Sequence, residues 1–172
     1  MNNRILPYIQ VLVPLLLQVA FFQYATLFQG WWYIGFHLLG LLLIPLQRAA
    51  GWVLIISGFI GMVVDLATFE GGLFMSSALF MGLFVPLINR ILAPREGYEI
   101  TDQPTMASMG MQWFVARTWL LLALHHLWMF TWEASRWDLV LIAWGKALTS
   151  ATLTTALFVL VMLLVQSRRK QR

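Results

Sequence analysis

The sequence contains no cysteine and few charged residues. Of its 172 residues, 10% are charged, and 60% are hydrophobic. The lack of cysteine excludes disulfide bonds and thiolate metal sites. The scarcity of charge excludes a soluble domain, because a soluble domain of this size cannot bury so much apolar surface. Enzyme motifs are missing as well: we find no nucleophile elbow, phosphate-binding loop or dinucleotide fingerprint.

Long apolar runs recur along the chain at near-regular intervals, which is typical of a polytopic membrane protein. The sequence predicts an all-α fold, a single transmembrane domain over residues 1–172 built as a bundle of about six helices. The predicted spans are 6–28, 33–47, 51–69, 72–93, 113–133 and 139–166. The second span is short for the ~20 residues that a helix needs to cross a bilayer. The first span is interpreted as a retained anchor rather than a signal peptide.

The basic residues predict the orientation of the bundle. With the N-terminus inside, Arg136 and Lys146 are the two basic residues toward the outer side, against nine on the inner side: Arg4, Arg48, Arg90, Arg95, Arg117, Arg168, Arg169, Lys170 and Arg172. The positive-inside rule therefore places both termini in the cytoplasm. The same orientation makes 94–112 a cytoplasmic loop, in which Arg95, Glu96, Gly97 and Tyr98 are candidate contact residues.

Four ionisable residues inside the predicted spans form a candidate polar cluster. At about 1.5 Å per helical residue, Asp65, His125, His126 and Lys146 reach a similar depth in the outer half of the bundle. An Asp near the middle of a span costs about 2.5–3.5 kcal/mol on insertion scales. We therefore expect Asp65 to be paired inside the bundle, or solvated at its outer boundary, rather than exposed to lipid. Contact with a partner, or a proton or ligand site, are the alternatives.

Small residues surround this aspartate. Ser57, Gly58 and Gly61 predict a close helix–helix contact, and Gly72 is grouped with them at the tight turn into the fourth span. The adjacent pair His125 and His126 is not expected to bind a metal, because neighbouring residues on a helix point about 100° apart. We expect no catalytic residue, metal or cofactor.

These residues carry a resemblance to a known family. Ser57, Gly58, Phe59, Gly61, Asp65 and Gly72 resemble the glycine–aspartate motif of the bacterial rod shape-determining protein MreD. The segments "RILAPREGYE" (90–99) and "HHLWMFTWEA" (125–134) are similar to one branch of that family. The likeness covers roughly residues 50–134, with Ser57 standing where many members have glycine.

The resemblance implies a non-enzymatic scaffold of the cell-elongation machinery in the bacterial inner membrane. Proteins of this family associate with MreC, and through it with MreB, RodA and the elongation transpeptidase that build peptidoglycan. The expected partners are thus MreC and membrane lipid, with no nucleic acid. The resemblance also implies a groove for the MreC transmembrane helix, with the inner loop and the basic tail facing MreB.

Two other functions remain open at this point. The bundle resembles, in span number and hydropathy, the substrate-binding subunits of energy-coupling-factor vitamin transporters. In that alternative the polar cluster is a pocket for a small polar molecule, although Ala20 and Ala25 do not reproduce the spacing of the coupling face of those subunits. The other alternative is a membrane enzyme that uses a histidine and Asp65 as acid and base.

Overall fold

The structure is a computed structural model that describes residues 6–22, 26–27, 30–99 and 102–170. For residues 6–8, 22, 26–27 and 166–170 it describes the backbone alone. Several features named above fall outside these residues: Arg4, Arg172, Ala25 and its neighbours in the first predicted span, two positions of the loop and the side chains of the basic tail.

The described part of the chain is mostly helical, which confirms the prediction of a helical protein. Its α-helices are α1 Leu6–Leu17, α2 Leu38–Leu42, α3 Ala50–Thr68, α4 Leu73–Ile91, α5 Met106–Met109, α6 Met111–Ala134 and α7 Val140–Lys170. A π-helical turn, Gln18–Phe22, continues α1, and a 3-10 turn, Trp137–Leu139, precedes α7. Two short strands, β1 Thr26–Leu27 and β2 Trp32–Tyr33, pair antiparallel, with Thr26 opposite Tyr33.

Three helical segments are long and apolar enough to cross a membrane: Ala50–Thr68, Leu73–Ile91 and Trp137–Val165. This finding indicates a membrane protein. Helix α6 has 24 residues, enough by length, but Arg117, His125 and His126 make it too polar to qualify by composition. All three of these side chains are buried inside the protein rather than exposed on its surface.

The predicted second span, 33–47, is not a continuous helix. Its helical part, α2, is five residues long, which amounts to about 7.5 Å of helix. We call residues 30–47 the central segment, because most of its side chains from Tyr33 to Leu46 are buried. Pro45 prevents α2 from continuing toward α3. Irregular backbone is tolerated in a membrane protein where other parts of the protein surround it, and most of the central segment is buried.

Helices α3 and α4 form an antiparallel hairpin, and α6 packs between α4 and α7. Helix α1 packs against α2, where a side chain on Gly40 would lie 3.0 Å from the Cα of Val11. The core fills the space between these helices with fully buried side chains, among them Ile60, Met81, Phe114, Leu121 and Phe158. The fold therefore surrounds the central segment on several sides and brings its polar groups next to α6 and α7.

Candidate functional site

Asp65 caps the N-terminus of the following helix. Its Oδ1 accepts a hydrogen bond from the backbone N–H of Phe74 (2.9 Å), and its Oδ2 accepts one from Met75 (2.7 Å). Phe74 and Met75 lie in the first turn of α4, whose N–H groups have no partner within the helix. The N-cap residue of α4 is Gly72, which has no side chain to offer. An Asp at the N-cap position usually accepts hydrogen bonds from the first N–H groups of its own helix. Here the carboxylate of Asp65, on α3, accepts those hydrogen bonds from α4, and the positive end of the α4 dipole stabilises its charge.

This arrangement offsets the cost of placing a carboxylate in an apolar helix. Hydrogen bonds to a charged group contribute about 1.5–3 kcal/mol each. Two of them match an insertion cost of about 2.5–3.5 kcal/mol. The hydrogen-bond partners of Asp65 in the structure are therefore backbone amides of α4, and no ion pair joins it to a basic side chain among the described residues.

Gly61 makes this cap possible. A Cβ atom at Gly61 would lie 2.5 Å from the Cα of Met75 and 2.6 Å from the carbonyl oxygen of Phe74. These are backbone atoms that cannot rotate away, so the two helices can approach this closely only with glycine at this position. Gly61 and Asp65 are one helical turn apart and therefore lie on the same face of α3. The close contact and the cap are parts of one interface.

The predicted helix-packing residues lie on or near that interface. Ser57 is buried one turn before Gly61, and a Cβ at Gly82 of α4 would lie 2.5 Å from the Ser57 Oγ. A Cβ at Gly58 would lie 3.2 Å from the flexible side chain of Leu79, a looser contact. A Cβ at Gly72 would meet no described atom within 4 Å. Gly72 contributes through its backbone conformation. Its φ of 95° allows the turn that precedes α4, and this value disfavours any residue with a side chain.

Three histidines form a buried cluster, the histidine cluster, of His37, His125 and His126. The ring centres of His37 and His125 lie 5.8 Å apart, and those of His125 and His126 lie 5.2 Å apart. His126 Nδ1 lies 2.7 Å from the carbonyl oxygen of Leu122. Within the described part of the chain, both ring nitrogens of His37 and of His125 have no hydrogen-bond partner. The cluster therefore concentrates unsatisfied polar atoms in the interior of the bundle.

The predicted polar cluster forms only in part. Phe74 lies between Asp65 and the histidine cluster, because its amide donates to Asp65 while its ring lies 6.0 Å from that of His37 in an edge-on contact. Lys146 does not join them. Its Nζ lies 5.7 Å from the ring centre of Trp31, a cation–π distance. Arg136 and Asp138 form the one ion pair found among the described residues, and it lies at the exposed turn before α7.

Side chains from other elements form hydrogen bonds with backbone groups of the central segment. The N–H of Tyr33 donates to Ser150 Oγ (3.1 Å), and Thr154 Oγ1 donates to the Tyr33 carbonyl (3.4 Å). Gln18 accepts from the N–H of Phe36 (2.6 Å) and donates to the hydroxyl of Tyr33 (3.0 Å). The π-helical turn and α7 thus hold the segment in its irregular shape.

Arg117 performs the same task at the other end of the central segment. Its Nη1 donates to the carbonyl of Leu42 (2.8 Å), where α2 ends, and its Nε donates to Asn89 Oδ1 of α4 (2.7 Å). Its Cζ lies 5.5 Å from the ring centre of Trp113. The side chain is 1% exposed, and its Nη2 has no hydrogen-bond partner among the described residues. Both acceptors are neutral, so no carboxylate of the described chain pairs with this buried cation.

The loop after α4 is anchored by Tyr98. The Tyr98 hydroxyl donates to the carbonyl of Asn89 (2.7 Å), and its own carbonyl accepts from Gln47 Nε2 (3.2 Å). Partial burial raises the pKa of the Tyr98 hydroxyl. Arg95 and Glu96 are exposed in the turn before it, and the turn itself uses Gly97 at a φ of 81°.

Sequence reasoning missed three of these residues: His37, Gln18 and Arg117. His37 stands alone in an apolar run, so no spacing connects it to the pair on α6. Gln18 interrupts the first span, and a polar residue in such a run is itself the signal that a buried partner must satisfy it. Arg117 reads as one of the cytoplasmic charges, whereas the structure buries it. In the described residues no group of three His, Cys, Asp or Glu side chains is arranged to hold a metal ion.

Comparison with known proteins adds nothing to this geometry. No family model matches the chain, and neither the curated proteins nor the solved structures include a significant match. The function must therefore be argued from the residues of the chain itself.

Proposed function

We propose that the protein is a non-enzymatic membrane scaffold of the MreD type, which binds MreC in the bacterial cell-elongation complex. In this proposal the chain crosses the inner membrane six times. Helix α1, the central segment and α6 add three crossings to those of α3, α4 and α7, and both termini lie in the cytoplasm. The protein contacts MreB, RodA and the transpeptidase indirectly, through MreC.

The observation that carries the proposal is the role of the motif on which the family resemblance rests. Ser57, Gly61 and Asp65 together build one tight hairpin of α3 and α4, with the acid capping a helix rather than facing a substrate. A motif that serves to join two helices favours a rigid scaffold over an enzyme, because the hydrogen bonds of the carboxylate hold α3 against α4.

The opposite face of α3 offers a surface for the partner helix. Exposed large apolar side chains follow one another there at spacings of three and four residues: Trp52, Ile55, Phe59, Met62, Leu66 and Phe69. This is the heptad spacing by which one helix packs along another. We call it the α3 stripe. The close packing on the other side of α3 holds the stripe rigid, which lowers the entropy cost of binding a helix.

Co-purification tests this assignment. The double variant Phe59→Ala/Leu66→Ala removes two members of the α3 stripe, while Leu160→Ala/Leu163→Ala removes exposed leucines of α7 as a matched control. Truncating hot-spot residues costs about 2 kcal/mol or more each, so we expect MreC recovery to fall by about tenfold or more for the first variant only, with loss of rod shape. Full recovery of MreC with the first variant would reject the α3 stripe as the docking face.

One observation favours a second candidate, a small-molecule-binding membrane module. Interrupted helices in transporters surround their substrate sites, and here the interrupted central segment lies beside the histidine cluster, in which the ring nitrogens of His37 and His125 lack partners among the described residues. Mass spectrometry of the detergent-purified protein distinguishes the two. A vitamin-sized molecule retained by the wild type and lost from His125→Phe would support binding, whereas no retained molecule together with MreC recovery supports the scaffold.

A further inference from the structure

A cleft opens at the end of the bundle where α3 begins and α4 ends, with a volume of about 340 Å³. We call it the arginine cleft, because Arg48 and Arg90 line it. The turn before α3, the last turns of α4 and the loop residue Tyr98 form its walls. Its volume lies within the range of small-ligand sites, about 300–1,000 Å³.

The charged side chains among the described residues that line the arginine cleft are all positive. None of the described residues that line it is acidic, and neither Arg48 nor Arg90 forms an ion pair with a described residue. No side chain from the described residues caps the N-terminus of α3, and the first residue of that helix, Ala50, lines the cleft. The α4 helix ends at the same cleft, so the partial negative charge of its C-terminus offsets the partial positive charge of the α3 N-terminus, and the two guanidinium groups set the sign of the charge there.

A third cation lies next to the cleft. Asn89 lines it and accepts a hydrogen bond from the buried Arg117, whose Nη2 has no partner among the described residues. A buried charge without a counter-ion is costly. An anion in the cleft would reduce that cost as well as pairing with the two arginines at the surface.

Apolar side chains also line the cleft. Leu46, Val53 and Val85 are buried, and Pro86 is exposed. On the same turns of α3 and α4, three large apolar side chains are exposed: Trp52, Leu87 and Ile91. A ligand with an anionic head and an apolar continuation fits this combination better than a free anion does. Basic pockets between membrane helices are known to bind anionic lipid headgroups.

We infer that the arginine cleft binds the phosphate of an anionic phospholipid headgroup, with Arg48 and Arg90 as the charged contacts and the apolar wall against the glycerol and first acyl carbons. Guanidinium groups bind phosphate oxygens through paired, charge-assisted hydrogen bonds. The positive-inside prediction places this end of the bundle in the leaflet facing the cytoplasm. The inference involves no partner protein and stands independently of the proposed function.

Thermal unfolding of the detergent-purified protein tests the inference. The probes are dihexanoylphosphatidylglycerol, the zwitterionic dihexanoylphosphatidylcholine and inorganic phosphate, each titrated separately. A ligand that binds the folded state raises the unfolding midpoint with concentration, which yields an apparent Kd. We expect phosphatidylglycerol to raise the midpoint, and the other two probes to do so only at concentrations about tenfold higher or more, since they lack either the net charge or the apolar part.

Variants locate the site. Arg48→Gln/Arg90→Gln should weaken phosphatidylglycerol binding by about tenfold or more, and Arg48→Lys/Arg90→Lys should recover part of it. Arg95→Gln removes an exposed arginine that does not line the cleft, and it should bind as the wild type does. Ala93→Trp fills the cleft without removing a charge, which provides a second test if the glutamine variant fails to fold.

The inference is overturned if phosphatidylcholine protects as well as phosphatidylglycerol, or if Arg95→Gln loses as much affinity as the double glutamine variant. Equal protection by inorganic phosphate would overturn the assignment to a lipid. Unchanged binding in Ala93→Trp together with the double variant would place the lipid elsewhere on the protein.

Discussion

The contact of Gly61 with α4 leads to a sharp prediction for Gly61→Ala. The added methyl would lie 2.5 Å from the Cα of Met75 and 2.8 Å from its backbone nitrogen. Real Cβ atoms do not approach backbone so closely, so α3 and α4 must separate. Separation at this level also lengthens the hydrogen bonds from Phe74 and Met75 to Asp65, which lies one turn further along α3.

The expected magnitude follows from three contributions. Overpacking costs about 2 kcal/mol, and weakening both bonds to the charged Asp65 costs about 2 kcal/mol more. Alanine regains about 1 kcal/mol over glycine through its higher helix propensity. We therefore expect Gly61→Ala to lower the free energy of unfolding by about 3 kcal/mol, although the same substitution stabilises an unhindered helix.

Reversible unfolding in mixed detergent micelles, followed by circular dichroism, measures this change. Two glycines of α3 serve as matched controls. A methyl group added at Gly51 would meet no described atom within 4 Å, and one added at Gly58 would meet only the end of the Leu79 side chain. Gly51→Ala and Gly58→Ala should each stay within about 1 kcal/mol of the wild type.

A double-mutant cycle with Asp65→Asn then connects the contact to the cap. If Gly61→Ala acts partly by pulling the amides from Asp65, the two substitutions together should cost less than the sum of their separate effects. The reasoning is refuted if Gly61→Ala is as stable as Gly51→Ala, or if its effect and that of Asp65→Asn add without coupling.

Three further predictions follow from the buried polar groups. Asp65→Asn keeps the shape but loses the charge and one acceptor, so its unfolding free energy should fall by about 2 kcal/mol, with Asp138→Asn as an exposed control. Arg117→Lys cannot reach both Leu42 and Asn89 in the same way, and the same assay should show a loss of about 2 kcal/mol; wild-type stability would mean that the two contacts contribute nothing. His37→Phe replaces an unsatisfied ring by an apolar one of similar shape and should raise stability by about 1 kcal/mol. A clear loss of stability in this variant would contradict the expectation.

Long apolar runs allow much of the helical framework to be predicted. Helix α3, Ala50–Thr68, falls on the predicted span 51–69, and α4, Leu73–Ile91, falls on 72–93. The reason is local, since about 20 consecutive apolar residues have one low-energy state in lipid, the helix that satisfies its own backbone. The small-residue face of α3 is predictable as well, because it depends on spacing along one helix.

The central segment shows where such local reasoning ends. Its apolar composition predicts a helix over 33–47, but the structure has five helical residues, α2. Ser150 and Thr154 lie more than a hundred residues away along the chain, and they satisfy the backbone of Tyr33 that a helix would otherwise satisfy itself. No local pattern records these partners, and tertiary contacts override the helical preference of the apolar run.

The sequence by itself determined that this chain belongs in a membrane, where its long helices lie and which face of α3 is built for close contact, because these properties depend on residues that are neighbours along one run. The tertiary structure alone decided that Asp65 caps α4, that His37 joins the pair on α6, and that Arg117 is buried against the end of α2. Each of those outcomes requires groups from separate elements to come into contact, within about 3 Å where a donor meets an acceptor, and only the packed arrangement of the helices sets that distance.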